Sequence, residues 1–256
     1  MGSPESRFSA QVERCFSRGA SAYPRSATLQ AAVAMRLARL ARPLDTALPS
    51  GPRADLGAGS GLLSRALETQ LTDAPLLRLD ACAALLEQEQ PPQRALQRLW
   101  DLNQGLPQEL EGAALLASSF ALQWLEQPAL QLSGWCKALR PGGALVLAVP
   151  CSGSFQIWHH TAERAGVPCS ALPLPDPTTL LETAAAPLAL HHYQLLRFSR
   201  PNRGARAFLH QIKTIGAQAS PAARLQPGQL RQLIRHWPGP EHAIVWHVLV
   251  LVGQKR

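Results

Sequence analysis

Long apolar runs are missing from this 256-residue chain. The longest, "ALVLAVP" and "AIVWHVLVLV", fall short of the roughly 20 residues that cross a bilayer, so neither a spanning helix nor a membrane partner is expected. The opening "MGSPESRFSAQVERC" lacks a continuous apolar region and a small-residue cleavage site, which leaves secretion unsupported; Gly2 and Ser6 match only a short acylation pattern. No two of the five cysteines, Cys15, Cys82, Cys136, Cys151 and Cys169, share a C-x-x-C spacing, and their number is odd. That argues against a disulfide framework and a cysteine-held zinc, and it suits a reducing cytoplasm. The histidines show no metal-ligand spacing either, so no metal is expected. With two tyrosines and six phenylalanines, the chain is short of the aromatic-basic interleaving that stacks single-stranded bases, and no nucleic-acid partner is expected.

What is present in excess is positive charge, and it is unevenly spread. The formal net charge is +8. Up to Pro150 there are 14 basic and 13 acidic residues; from Cys151 onward there are 11 basic and 4 acidic. The second half therefore carries a field suited to an acidic partner.

Short apolar runs alternate with helical patterns through the middle of the chain, as βαβ units do. Candidate strands are Arg53 to Gly57, Leu76 to Asp80, Leu96 to Trp100, Ala113 to Ser118 and Gly143 to Val149. An amphipathic helix precedes them from Thr28 and stops at Pro43. Later, "LALHHYQLLRF" and "AIVWHVLVLVGQ" read as two strands bracketing the helices "ARAFLHQIKTIGA" and "QPGQLRQLIRHW". The expected fold is α/β: a mixed seven-stranded sheet with helices on both faces, N-terminal helices, and a helical lid inserted before the last strand. Residues 1–45 form the cap, 46–150 the binding core and 151–256 the lid and closing strands of a single domain.

The stretch "ADLGAGSGLLSRALE" places Asp55, Gly57, Gly59 and Gly61 between a strand and a helix. Glycines there let a ligand approach bare backbone, and the following helix offers unpaired N–H groups. The spacing is not the G-x-G-x-x-G of dinucleotide sites, and no lysine follows Gly61 as in a phosphate-cradling loop. It resembles the first motif of the class I S-adenosylmethionine-dependent methyltransferases. Asp80 ends the second strand 25 residues after Asp55, near the spacing of about 20 at which such units place a ribose-binding carboxylate. Asp101 and Leu102 follow the third strand, where the resemblance implies contacts to the adenine. Ala58, Ala81, Ser118 and Phe120 complete the cofactor-side residues it implies, and "LRPGG" matches the turn before strand five.

The flanks are more specific. "CFSRGASAYPRSATLQAAVA", "SSFALQW", "GSFQIWHHTAERAG", "FLHQIKTIGA" and the closing "LQPGQLRQLIRHWP" together resemble malonyl-acyl-carrier-protein O-methyltransferases of biotin synthesis over nearly the whole chain. Phe16, Arg18, Tyr23, Gln123, Trp124, Lys213, Gly216 and Ala217 hold the corresponding places. The chain departs from the pattern at Gly19-Ala20, at Ala58, after Asp80 and at Val245-Trp246.

The resemblance implies transfer of a methyl group from S-adenosylmethionine to the free carboxylate of malonyl-acyl-carrier protein, or of malonyl-coenzyme A; a monomer is expected. That carboxylate is ionised at neutral pH and needs no base. A cation that orients it is expected among Arg197, Arg200, Arg203, Arg206 and Lys213. Tyr23 is expected over the cofactor as a catalytic residue, its hydroxyl meeting the methionine carboxylate or the substrate, with Trp124, Phe155 and Trp158 walling the acceptor pocket. The rival readings are a methyltransferase acting on a quinone or a free acid, an RNA methyltransferase, and a cofactor-binding subunit without turnover. The "SSFA" after strand four argues against the RNA reading, because base-amine enzymes carry an Asn/Asp-Pro-Pro-Tyr/Phe element there.

Overall fold

A computed structural model describes residues 4–72, 75–89 and 96–256; Gly2 of the acylation pattern lies outside them. Helices α1 (Pro4–Gly19), α2 (Tyr23–Ser26) and α3 (Thr28–Ala41) form the cap. Strands β1 (Arg53–Leu56), β2 (Leu77–Asp80), β3 (Gln97–Leu99), β4 (Ala113–Ser119) and β5 (Leu139–Pro150) alternate with α4 (Leu62–Glu68), α5 (Ala83–Leu86) and α6 (Pro128–Ala138). Beyond them come α7 (Gln156–Arg164), α8 (Pro177–Ala185), β6 (Leu188–Arg200), α9 (Ala205–Thr214), α10 (Pro227–His236) and β7 (Ile244–Lys255). None of the described helices is long and apolar enough to cross a membrane.

The seven strands lie in the order β3-β2-β1-β4-β5-β7-β6. β1 to β5 run parallel, and β7 runs antiparallel between β5 and β6. The order reverses between β1 and β4, so the loops after these strands part and leave a crevice at their carboxyl ends.

Period-2 alternation builds both faces. Along β5, Leu145, Leu147 and Val149 pack with the fully buried Trp135 of α6 and Leu180 of α8. Ala144, Val146 and Ala148 face the other way, onto Val33 and Leu37 of α3 and Leu67 of α4. β7 repeats the pattern, with Leu249 and Leu251 on the first face and Val248, Val250 and Val252 on the second.

Most strand ends shift by a residue or two from the sequence expectation, and two boundaries have a specific physical cause. α3 stops at Ala41, because Pro43 cannot continue the helical hydrogen-bond ladder. β5 starts at Leu139, not Gly143: Leu139 pairs with Ala113, and the register shifts before Leu115 pairs with Ala144. Gly142 (φ 77°) takes up the shift, and a Cβ on Gly143 would sit 2.5 Å from the Ala113 carbonyl oxygen. The "LRPGG" segment is thus an irregular strand beginning, not a free turn.

Candidate functional site

The β1–α4 loop turns on glycines. Gly57 (φ 72°) admits no side chain, since a Cβ there would lie 2.2 Å from the Ala121 Cβ. The Gly57 and Ala58 N–H groups donate to the Leu79 carbonyl at 2.8 and 2.9 Å, tying the loop to β2. The Gly59 N–H donates to Asp80 Oδ2 at 2.8 Å, and the Cys82 N–H to Oδ1 at 2.8 Å. Burial raises Asp80 to about 6, although both N–H groups favour its charged form.

Asp55 lies at the foot of the loop. Its Oδ2 accepts from the Ser64 hydroxyl at 2.6 Å and the Ser64 N–H at 3.0 Å, while Oδ1 is buried without a partner. Burial pushes this carboxyl up to about 7. Asp101 accepts from the Asn103 N–H at 2.9 Å and from the Ser9 hydroxyl at 2.9 Å. The latter bond straps α1 across the crevice.

The crevice, open to solvent, spans about 910 Å³ and is lined among others by Tyr23, Asp55, Gly57, Ala58, Gly59 and Asp80. Ala81, Asp101, Leu102, Phe120 and Trp124 also line it. A second chamber of about 720 Å³ adjoins it across five shared residues, Phe16, Tyr23, Gln30, Phe120 and Trp124.

Phe120 and Phe155 are the non-glycine residues with positive φ among those described, at 57° and 56°. Both line the second chamber. Aromatic side chains disfavour that backbone region, and such strain concentrates where the surrounding structure forces a functional geometry. Phe155 precedes α7 and packs edge-on against Trp246 at 5.3 Å; Trp158 meets Phe208 at 5.4 Å.

The second chamber carries no aspartate, glutamate, histidine, lysine or arginine among the residues that line it. Its one titratable group is Tyr23, whose hydroxyl is raised by burial and then by the nearby Asp80 and Asp55 charges.

Several expected site residues stand elsewhere. Arg197, Arg200, Arg203, Arg206 and Lys213 line neither cavity. On α9 the inward face is taken by Ala205 and Phe208, both buried, and by Ile212, so the same period turns Arg206 and Lys213 to solvent. Arg203 is exposed just before the helix, and Arg197 is exposed on β6, paired with His247. Ser118 is fully buried and donates to the Leu56 carbonyl at 2.7 Å; its neighbour Ser119 lines the crevice instead, with an unpartnered hydroxyl. Gly61 lies behind the loop, where a Cβ would meet Glu89 at 2.6 Å.

The structure also adds residues that sequence reasoning missed. Ser9 and Glu13 share one face of α1 with Phe16, which the sequence already singles out, and Trp100 and Asn103 flank Asp101. The helical spacing on α1 was the signal available for Ser9 and Glu13. Trp246 and Gln218 enter the second chamber from β7 and the segment after α9.

A family model described as a methyltransferase domain matches residues 54–147. Over 231 residues the chain is 30% identical to the biotin biosynthesis bifunctional protein BioCD of Bordetella avium, covering 88% of this chain and 48% of that protein. It is 28% identical to a malonyl-[acyl-carrier protein] O-methyltransferase of Magnetococcus marinus, covering 89% of this chain and 86% of the relative. A trans-aconitate 2-methyltransferase of Sinorhizobium fredii is 29% identical over 66% of this chain and 69% of its own length. The chain spans about half the length of the leading curated relatives it matches, 48% and 56% of the first two. Among solved structures, the YcgJ protein of Bacillus subtilis superposes with a TM-score of 0.53 at 16% identity, over 85% of this chain and 97% of that one, a likeness of fold alone.

Proposed function

We propose that this chain is a class I S-adenosylmethionine-dependent methyltransferase, a reading supported by the matching methyltransferase domain and the strand order, and that it esterifies the free carboxylate of malonyl-acyl-carrier protein, a step toward biotin. The observation that carries this reading is the second chamber, joined to the crevice and lined by no group able to take up a proton near neutral pH. A phenol, an amine or a carbon acid must lose a proton during methylation, and a base has to receive it. A carboxylate arrives already ionised and attacks as it is.

The residues of the crevice fit the donor. Gly57, Ala58 and Gly59 offer bare backbone, and Asp80 stands where ribose hydroxyls would meet it. Asp101 and Leu102 suit the adenine end. The unpartnered Oδ1 of Asp55 is an acceptor suited to a cationic amino group. When bound, S-adenosylmethionine supplies a methyl group on a positively charged sulfur, which serves as both electrophile and counter-charge. Tyr23 and Phe120, shared by the two cavities, align the acceptor with the donor. Trp124, Phe155 and Trp158 exclude water, which leaves the carboxylate poorly solvated and more nucleophilic.

The likeness to the Magnetococcus marinus protein over most of both chains supports the carrier-bound acceptor. A second reading, esterification of a small free polycarboxylic acid, is favoured by the Sinorhizobium fredii relative. Incubation with labelled S-adenosylmethionine and malonyl carrier protein, followed by mass analysis, tests the assignment. One added methyl group is expected, and Asp80→Ala should abolish it. Equal labelling of a carrier bearing a neutral acyl group would refute the carboxylate acceptor.

A further inference from the structure

Between Glu182 and Glu241 the chain holds eight arginines and lysines and no acid. Exposed Lys213 and Arg224 lie in this acid-free segment, at the end of α9 and in the loop before α10. The fold brings α1 against them. A Cβ on Gly19 would lie 2.6 Å from the Gly216 N, and one on Gly216 (φ 77°) would lie 2.7 Å from the Phe16 Cα, so the two helix ends meet backbone to backbone. Exposed Arg14 and Arg18 of α1 thereby join the cations of the lid. Buried Cys15 reports the convergence, because the charges acting on its thiol are those of Arg18, Arg224 and Arg14. None of these four cations forms an ion pair among the described residues. The same junction walls the acceptor chamber through Phe16, Ile212, Ile215 and Ala217.

We propose that Arg14, Arg18, Lys213 and Arg224 form a docking collar for an acidic carrier protein, setting its thioester arm against the neutral acceptor chamber. The inference rests on the reading of the acceptor as a carrier-bound carboxylate. Four like charges gathered without counter-ions repel one another within the folded chain, and an acidic partner relieves that repulsion while being steered toward the site. Arg203 and Arg206, turned outward at the start of α9, extend the field. RNA suits the surface less well. Among the described residues the exposed large apolar side chains include one aromatic, Tyr193 on β6, so the collar offers no stacking platform. The lid cations expected to grip the substrate carboxylate thus act outside the chamber, on its carrier.

The test uses the full chain. Binding of labelled malonyl carrier protein is measured from about 50 to about 300 mM salt, for the natural protein and for an Arg14→Glu/Arg18→Glu/Arg224→Glu variant. Methyl transfer to malonyl-pantetheine, which lacks the carrier, is measured alongside. The proposal expects carrier affinity to fall roughly tenfold or more and its salt dependence to flatten, while turnover of malonyl-pantetheine stays within about twofold. An Arg→Gln set provides a milder version should the glutamates impair folding. Unchanged carrier binding overturns the proposal, as does parallel loss with malonyl-pantetheine. Collar-dependent binding of a single-stranded RNA in preference to the carrier also overturns it. Should the carrier bind through the collar and yet receive no methyl group, the collar stands and the acceptor assignment falls.

Discussion

At Asp55 one carboxylate oxygen is held twice by Ser64 while the other meets no partner, and burial raises the group to about 7. In the unfolded chain an aspartate titrates near 3.9. A carboxyl raised on folding stabilises the native state fully below that lower value and loses the contribution as pH rises through the higher one. Asp80, raised to about 6, acts in the same direction. For the protein without ligand, the contribution of these two groups to unfolding free energy should therefore fall between about pH 4 and about pH 7. Asp55→Asn should flatten that profile, measured by denaturant titration at successive pH values; an unaltered slope in the variant would contradict the assignment. The glycines beside it were legible because residue type itself encodes the left-handed backbone they adopt. Phe120 and Phe155 adopt the same region against their own preference. Nothing local announces them, since the surrounding packing imposes the conformation.

Among the elements, β2 carries the least expected side chain. Arg78 is fully buried, bound to Glu68 of α4 at 2.6 Å and to Glu89 at 2.9 Å, and Glu89 in turn backs Gly61 of the loop. The Gln97 amide of β3 donates to the same Glu89 at 2.8 Å. Removing the cation leaves buried Glu89 uncompensated, so Arg78→Met should cost about 3–5 kcal/mol in urea denaturation. A loss below about 1 kcal/mol would show that the carboxylates are neutralised otherwise. Strand periodicity located β2 correctly because Leu77 and Leu79 alternate, but it cannot reveal which neighbours neutralise an inward arginine. On α9 the helical period was equally legible, and it is that period which carries Arg206 and Lys213 away from the chamber they were expected to serve.

For the whole molecule, α1 is the strap that makes two cavities of one cleft. Ser9 reaches Asp101, Ser17 reaches Cys82, and Phe16 stands edge-on to Trp124 at 5.3 Å and to Tyr23 at 6.2 Å. Phe16 is half-buried, so Phe16→Ala should cost less stability than the about 3–5 kcal/mol typical of a fully buried phenylalanine. Because Phe16 belongs to both linings, the same variant should weaken donor and acceptor together. Calorimetric titration of S-adenosylmethionine and KM for malonyl carrier protein read the two effects; a change confined to the acceptor would mean that α1 does not seal the donor side.

The sequence by itself determined the α/β class, the closing pair of strands and the crevice after β1. Each is written in short-range terms: the period of apolar residues, the glycines that free the backbone, and an acid ending a strand. Only the tertiary structure decided that the cations of α9 turn away from both cavities, because a helix face is inward or outward relative to neighbours far away in the chain. It also decided that the second chamber is lined by no charged side chain and that α1 meets the end of α9. A packed interior is made by segments distant in sequence, and their charges are balanced or left unbalanced only once those segments come together.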